Sequence, residues 1–159
     1  MQLYLEFLEK PDGFLGEHPN PWLALDEGAP KLEEPLFKTK LFQGKPTPPP
    51  ALSNSKSVAF EVIKGTLNAF GLGITLGRTW NNDIAIADER VSRFHAFFQR
   101  KEGIWMVTDA GSRNGTLLHG ERLTPRKAVP LGEKTILCFG GRTAYFYSPG
   151  GLVEYFRSA

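Results

Sequence analysis

The stretch "HAFFQRKEGIWMVTDAGSRNGT", His95–Thr116, sets two runs of branched and aromatic residues on either side of a Glu-Gly pair and then enters a polar loop with a second turn signal, Asn114-Gly115. Runs this short, bounded by Gly, Asn and Ser, read as strands joined by tight turns. In "IWMVTD" the alternation puts Ile104, Met106 and Thr108 on one face and Trp105, Val107 and Asp109 on the other, so one face is predicted to enter a core. Working outward, the same grammar recurs in "VAFEVI", "GITLGR", "DIAIAD", "TLLHG", "KTILCFG" and "RTAYFYS", separated by "NND", "GSRNG" and "GG". The predicted fold is all-β, a sandwich or barrel. Trp105 and Phe97 are assigned to its core, and Cys138, inside an apolar run, to a buried, inert thiol. Only "GGLVEYFRS", in a tail spanning 148–159, suits a short C-terminal helix.

The first third of the chain is written differently. Nine of the twelve prolines precede residue 57, which discourages long helices and central strands, so residues 1–57 are predicted to form an arm before a domain at 58–147. The arm has features: "LYLEFLEK" suits a short helix ended by Pro11, "PWLALDE" an extended piece that packs on the main body, and Lys45–Ser57 an extended linker. Leu5, Leu8, Trp22 and Leu25 are the side chains expected to pack.

Composition narrows the function classes. A length of 159 residues with 41% hydrophobic content supports one sizeable core plus an extension, and a net charge of +2 is too mild for a dedicated nucleic-acid binder. One cysteine and three scattered histidines supply neither a disulfide nor a structural zinc site. No phosphate loop or dinucleotide-binding pattern is present, so no cofactor is expected. There is no basic-then-apolar leader and no run of 18 apolar residues, so the expectation is a cytoplasmic protein that does not enter a membrane.

With the strands placed, the polar clusters fall in loops: "LGRTWNND" supplies Arg78, "DERVSRFH" supplies Ser92 and Arg93, and "DAGSRNGT" supplies Arg113 and Asn114. Three loops at one end of a sandwich can converge. Gly77-Arg78, then "NNDI", then Ser92 and His95 as Ser-x-x-His, then Asp109–Thr116 as "DxGSxNGT" stand in an order and spacing that resembles the forkhead-associated (FHA) domain family over roughly Val58–Tyr147. The resemblance implies an FHA-type β-sandwich of two antiparallel or mixed sheets that binds phosphothreonine peptides without catalysis. It implies that Arg78 and Ser92 bind the phosphate with help from Arg93, that Asn114 holds the ligand backbone and Arg113 lines the neighbouring surface, and that Gly77, His95, Gly115 and Thr116 support the site. A phosphate monoester offers about two negative charges and three acceptor oxygens, which guanidinium, hydroxyl and backbone donors match. The implied partners are a phosphothreonine protein and an upstream Ser/Thr kinase. Thr39 or Thr47, once phosphorylated, would add an intramolecular contact from the arm.

Each residue also has a plainer reading. Arg78 can pair with Asp83 or Asp88, Ser92 can cap a turn, His95 can bond loop backbone, Arg93 and Arg113 can be solvated, and Asn114-Gly115 can be a turn alone. Ser92, His95 and Asp109 are the residue types of a hydrolytic triad, yet the serine lacks a "GxSxG" elbow. Arg78, Arg93 and Arg113 could meet nucleic-acid phosphates, against the repulsion of Asp83, Asp88, Glu89 and Asp109. A scaffold that keeps the fold without reading phosphate is the remaining alternative.

Overall fold

The computed structural model describes residues 9–26, 57–66, 68–71 and 73–158. Most of the helix expected over Leu3–Lys10, the linker Lys45–Ser57 apart from its last residue, and Leu5, Leu8, Thr39 and Thr47 lie outside the described residues.

Eleven strands and two helices follow in chain order among the described residues. They are α1 (Phe14–Glu17), β1 (Trp22–Asp26), β2 (Ser57–Glu61), β3 (Ile74–Gly77), β4 (Ile84–Ala85), β5 (Ala96–Lys101), β6 (Ile104–Asp109), β7 (Thr116–Leu118), β8 (Glu121–Arg122), β9 (Val129–Pro130), β10 (Lys134–Phe139), β11 (Arg142–Tyr147) and α2 (Pro149–Ser158). They build a six-stranded sheet in the order β2-β1-β11-β10-β7-β8 and a five-stranded sheet in the order β4-β3-β5-β6-β9. The strand pairings among the described residues are antiparallel except β3 with β4. The predicted sandwich is therefore the fold, with mixed pairing in one sheet.

The Glu-Gly pair closes the β5–β6 hairpin: Lys101 faces Ile104, and Glu102 and Gly103 between them have φ of 49° and 80°. Two consecutive positive φ values are the signature of the turn whose twist matches the flanking strands. Leu76, Phe98, Val107, Leu137, Phe139 and Phe146 project between the sheets into one core. Phe97 is a correction: it lies on the opposite face of β5 from Phe98, half-buried on the outside of the five-stranded sheet. Trp105 is half-buried and packs against the core edge. At the end of β6 the alternation stops mattering, since Val107, Thr108 and Asp109 are all buried.

The extended piece expected at "PWLALDE" forms as β1 and packs through Trp22 and Leu25, but as an interior strand, which corrects the argument from proline density. The prolines that argued against a central strand flank it without interrupting it, and β1 runs between β2 and β11. Leu23 and Leu25 enter the main core, while Trp22 and Ala24 face a second cluster with Phe14, Tyr147, Leu152, Val153 and Phe156. Period-two alternation outweighs local proline density because each of these side chains gains buried area. The sheet therefore crosses the composition change near residue 57. α2 closes the second cluster over the six-stranded sheet, and Ser148 opens it by accepting from the Gly151 N–H at 3.0 Å.

Candidate phosphate-reading loops

Three loops meet at one end of the sandwich, 78–83 after β3, 86–95 before β5 and 110–115 after β6, and hydrogen bonds between them fix their spacing. The Arg78 N–H donates to the Ser92 carbonyl at 2.9 Å, the Arg113 N–H to Ser92 Oγ at 3.0 Å, and Asn114 Nδ2 to the Arg90 carbonyl at 2.8 Å. The residues nominated from the sequence are thus brought together, with Arg78, Arg93, Arg113 and Asn114 exposed and Ser92 half-buried. Because Ser92 Oγ accepts from Arg113, its own hydrogen stays free to donate outward.

His95 sits beneath these loops with 0% exposure. Its Nδ1 accepts from the Ser92 N–H at 3.1 Å, and its Nε2 lies 3.0 Å from the Gly115 carbonyl, an acceptor, so the proton resides on Nε2. Burial pushes its pKa below the ordinary histidine value, against the opposing pull of the Gly115 carbonyl and Asp109. The ring is neutral and bridges two loops. Both nitrogens face backbone groups, which leaves none to take a proton from the Ser92 hydroxyl, and Asp109 Oδ2 stands 3.9 Å from Nε2. The arrangement is not that of a Ser-His-Asp relay.

Asp109, 1% exposed, organises the third loop. Oδ1 accepts from the Gly111 and Ser112 N–H groups at 2.8 and 2.9 Å, and Oδ2 from the Ser112 and Thr116 hydroxyls at 2.6 and 2.7 Å. Burial works to raise its pKa, but these donors outweigh it and hold the carboxyl below the usual range. Ser112 Oγ in turn accepts from the Gly115 N–H at 2.9 Å. Gly115 has φ +83°, and a Cβ there would lie 2.6 Å from the Arg122 guanidinium carbon. At Gly77 a Cβ would fall 2.2 Å from the Arg93 carbonyl oxygen, so glycine is what lets the 86–95 loop lie against β3.

Two of the acids near the loops, Asp83 and Asp88, are held by other partners. Asp83 pairs with Lys64 at 2.9 Å and accepts from the Thr75 N–H at 2.7 Å. Asp88 takes Arg90 in a two-point contact at 3.0 and 2.8 Å, with Arg142 at 3.8 Å. The Arg90 side chain holds the Asp88 carboxyl down to about 2. Of the two pairings considered for Arg78, neither forms; its guanidinium makes one long contact, 3.5 Å to the Glu89 carbonyl.

Sequence reasoning left several contributors without a role. Ser112 lay inside the quoted motif, and Asn82 lay in "NNDI", where its Nδ2 bonds the Arg93 carbonyl at 2.7 Å and steadies the Ser92 loop. Arg122 carried no local signal: it reaches the site from β8, and only pairing with Leu117 places it beside Asn114 and Gly115.

Residues 74–140 match the FHA domain family. Over 75 residues the chain is 37% identical to an FHA domain-containing protein of Arabidopsis thaliana, covering 46% of this chain and 19% of that protein. Over 59 residues it is 47% identical to the oxoglutarate dehydrogenase inhibitor of Corynebacterium diphtheriae, covering 37% of this chain and 39% of that one. The chain thus spans less than half the length of these relatives. A structure from a structural and functional analysis of phosphothreonine-dependent FHA domain interactions overlays with a TM-score of 0.53, covering 80% of this chain and 95% of the other at 16% identity, which concerns the fold alone.

Proposed function

The chain carries a forkhead-associated domain, and from that premise we propose that its loop end is a non-catalytic reader of phosphothreonine in partner proteins that a Ser/Thr kinase has modified. One observation carries the reading. Arg78, Arg93 and Arg113 stand exposed on loops locked to one another, and among the described residues none has a carboxylate within ion-pair distance. Three cations on interlocked loops, with Asp83, Asp88 and Asp109 bonded to other groups, favour a dianion, and the free hydrogen of Ser92 supplies a neutral donor beside them. In this reading Arg78 and Ser92 take phosphate oxygens, Arg93 adds charge, Asn114 holds the ligand main chain, and Arg113 borders it. Gly77, His95, Gly115 and Thr116 support the loops through the contacts described above.

Isothermal titration with a phosphothreonine peptide, its unphosphorylated twin and an oligonucleotide at rising salt tests this. Binding of the phosphopeptide alone supports it. Equal binding of the twin would make the domain a phosphate-independent scaffold, and steep loss of oligonucleotide binding with salt would indicate a nucleic-acid site.

A further inference from the structure

β8 contributes one side chain to the loop end, and it falls on the turn that presents Asn114. Arg122 pairs across the ladder with Leu117, and Gly115 stands two residues before Leu117, the diagonal position that a long side chain reaches. A Cβ at Gly115 would lie 2.6, 2.7 and 3.0 Å from the Arg122 guanidinium carbon and its two terminal nitrogens, so the guanidinium lies flat across Gly115 and does not point at it. Its Nη1 donates to the Asn114 carbonyl at 3.5 Å. That carbonyl and the Gly115 N–H belong to one peptide group, and the N–H donates to Ser112 Oγ at 2.9 Å. The peptide is therefore held at both ends, by Ser112 from inside the loop and by Arg122 from β8.

The second hold matters because of the glycine. Glycine populates both signs of φ about equally, so the residue that admits this turn, at φ +83°, also leaves the peptide before it free to rotate. Rotation of that peptide changes ψ of Asn114 and with it the placement of the Asn114 side chain, whose Nδ2 donates to the Arg90 carbonyl at 2.8 Å. We propose that Arg122 is a positioning residue of the reading site: its flat guanidinium fixes the peptide between Asn114 and Gly115 and so presets the Asn114 amide for the ligand main chain. This rests on the phosphothreonine reading above and adds to it a residue from outside the three loops. Among the described residues no carboxylate lies within ion-pair distance of Arg122, which leaves its guanidinium to the turn. A lysine there would keep the charge and lose the flat contact, since an ammonium is a compact point charge.

The test uses the full chain as wild type, Arg122→Ala and Arg122→Lys, titrated with a phosphothreonine peptide and with free O-phosphothreonine, which has no flanking main chain for Asn114 to hold. A side chain that must be ordered on binding weakens affinity severalfold, so both variants are expected to bind the peptide about fivefold more weakly than wild type, while affinity for free phosphothreonine stays within about twofold. In the ligand-free chain the Asn114 Nδ2 protons should hold a distinct resonance in wild type and move toward that of a solvated asparagine in both variants, a readout that loss of a surface charge would not move. Unchanged amide resonances in β5 and β6 check that the variants are folded. Full peptide affinity in Arg122→Lys would make Arg122 a plain charge, equal loss of the peptide and of free phosphothreonine would make it a phosphate ligand, and wild-type affinity in Arg122→Ala would leave it without a part. Each of these overturns the inference and leaves phosphate reading standing. A wild-type chain that binds neither probe would overturn both.

Discussion

At the loop end the buried side chains are polar, His95, Asp109 and Thr116, and they bond the backbone and hydroxyls of neighbouring loops; on the helix-covered face they are Phe14, Tyr147, Leu152 and Phe156, and they pack on one another. The apolar cluster contributes through area removed from water. The polar one contributes geometry: it ties together the loops that carry Arg78, Arg93 and Arg113. On the proposed reading, stability and recognition fall to separate parts of the molecule, and substitutions at the two ends should produce effects that do not resemble each other.

The largest effect is expected from Phe156→Ala in α2, where Phe156 is 4% exposed and packs edge-on against Phe14 at 5.8 Å. Loss of a buried phenyl costs about 3 to 5 kcal/mol, so denaturant unfolding should show a large drop in midpoint, while phosphopeptide affinity of the folded fraction is unchanged. A matching loss of affinity would break the separation.

His95→Ala sits between the two regimes. It leaves the Ser92 N–H and the Gly115 carbonyl without their ring partner, at about 1 to 3 kcal/mol for buried groups, and it loosens the loops as well. Melting temperature and affinity should fall together. For Arg78→Ala and Ser92→Ala the pattern reverses: affinity for a phosphothreonine peptide should fall at least about tenfold for Arg78→Ala, since a charge-assisted bond contributes about 1.5 to 3 kcal/mol, and by less for Ser92→Ala. The melting temperature of each should move little. Calorimetry of the three variants side by side checks this, and a Ser92 variant that melts early but binds normally would exchange its role with that of His95.

The smallest expected effect is in pH dependence. Asp88 has a folded pKa near 2, below the ordinary carboxylate value of about 4, so its contribution is complete above pH 4 and is lost as pH falls toward 2. Histidine burial acts at higher pH in the same direction: His95 has a lowered pKa, so stability is complete above about 6.5 and declines as pH drops below it. Unfolding midpoints of wild type and Asp88→Asn between pH 2 and 7 should diverge only above the acid limb, where the wild type alone gains from the charged carboxylate.

How much of this was legible in the sequence depended on the range of the signal. Turn pairs such as Glu102-Gly103 and alternation in β6 act over a few residues, so the strands and the sandwich could be read directly. Phe97 and Phe98 are adjacent aromatic residues, and only the pairing of Phe98 with Ile74 and Val107 decides which one faces the core. β1 was legible as an extended piece but not as an interior strand, because proline counts average over a segment, while a strand needs only five uninterrupted residues. At the site, the motif residues could be nominated since they cluster locally, but the occupation of Asp83 by Lys64 and of Asp88 by Arg90 is a tertiary fact. It is also the fact that leaves Arg78 without a carboxylate partner among the described residues.

The most direct test of the division between the two ends is an amide chemical-shift map of the chain titrated with a phosphothreonine peptide and, separately, with its unphosphorylated twin. The phosphopeptide should shift the amides of Arg78, Ser92, Arg93, Arg113 and Asn114 and leave those of Leu152, Val153 and Phe156 in place, with the twin shifting neither set. Shifts centred on α2, or equal shifts from both peptides, would contradict the account.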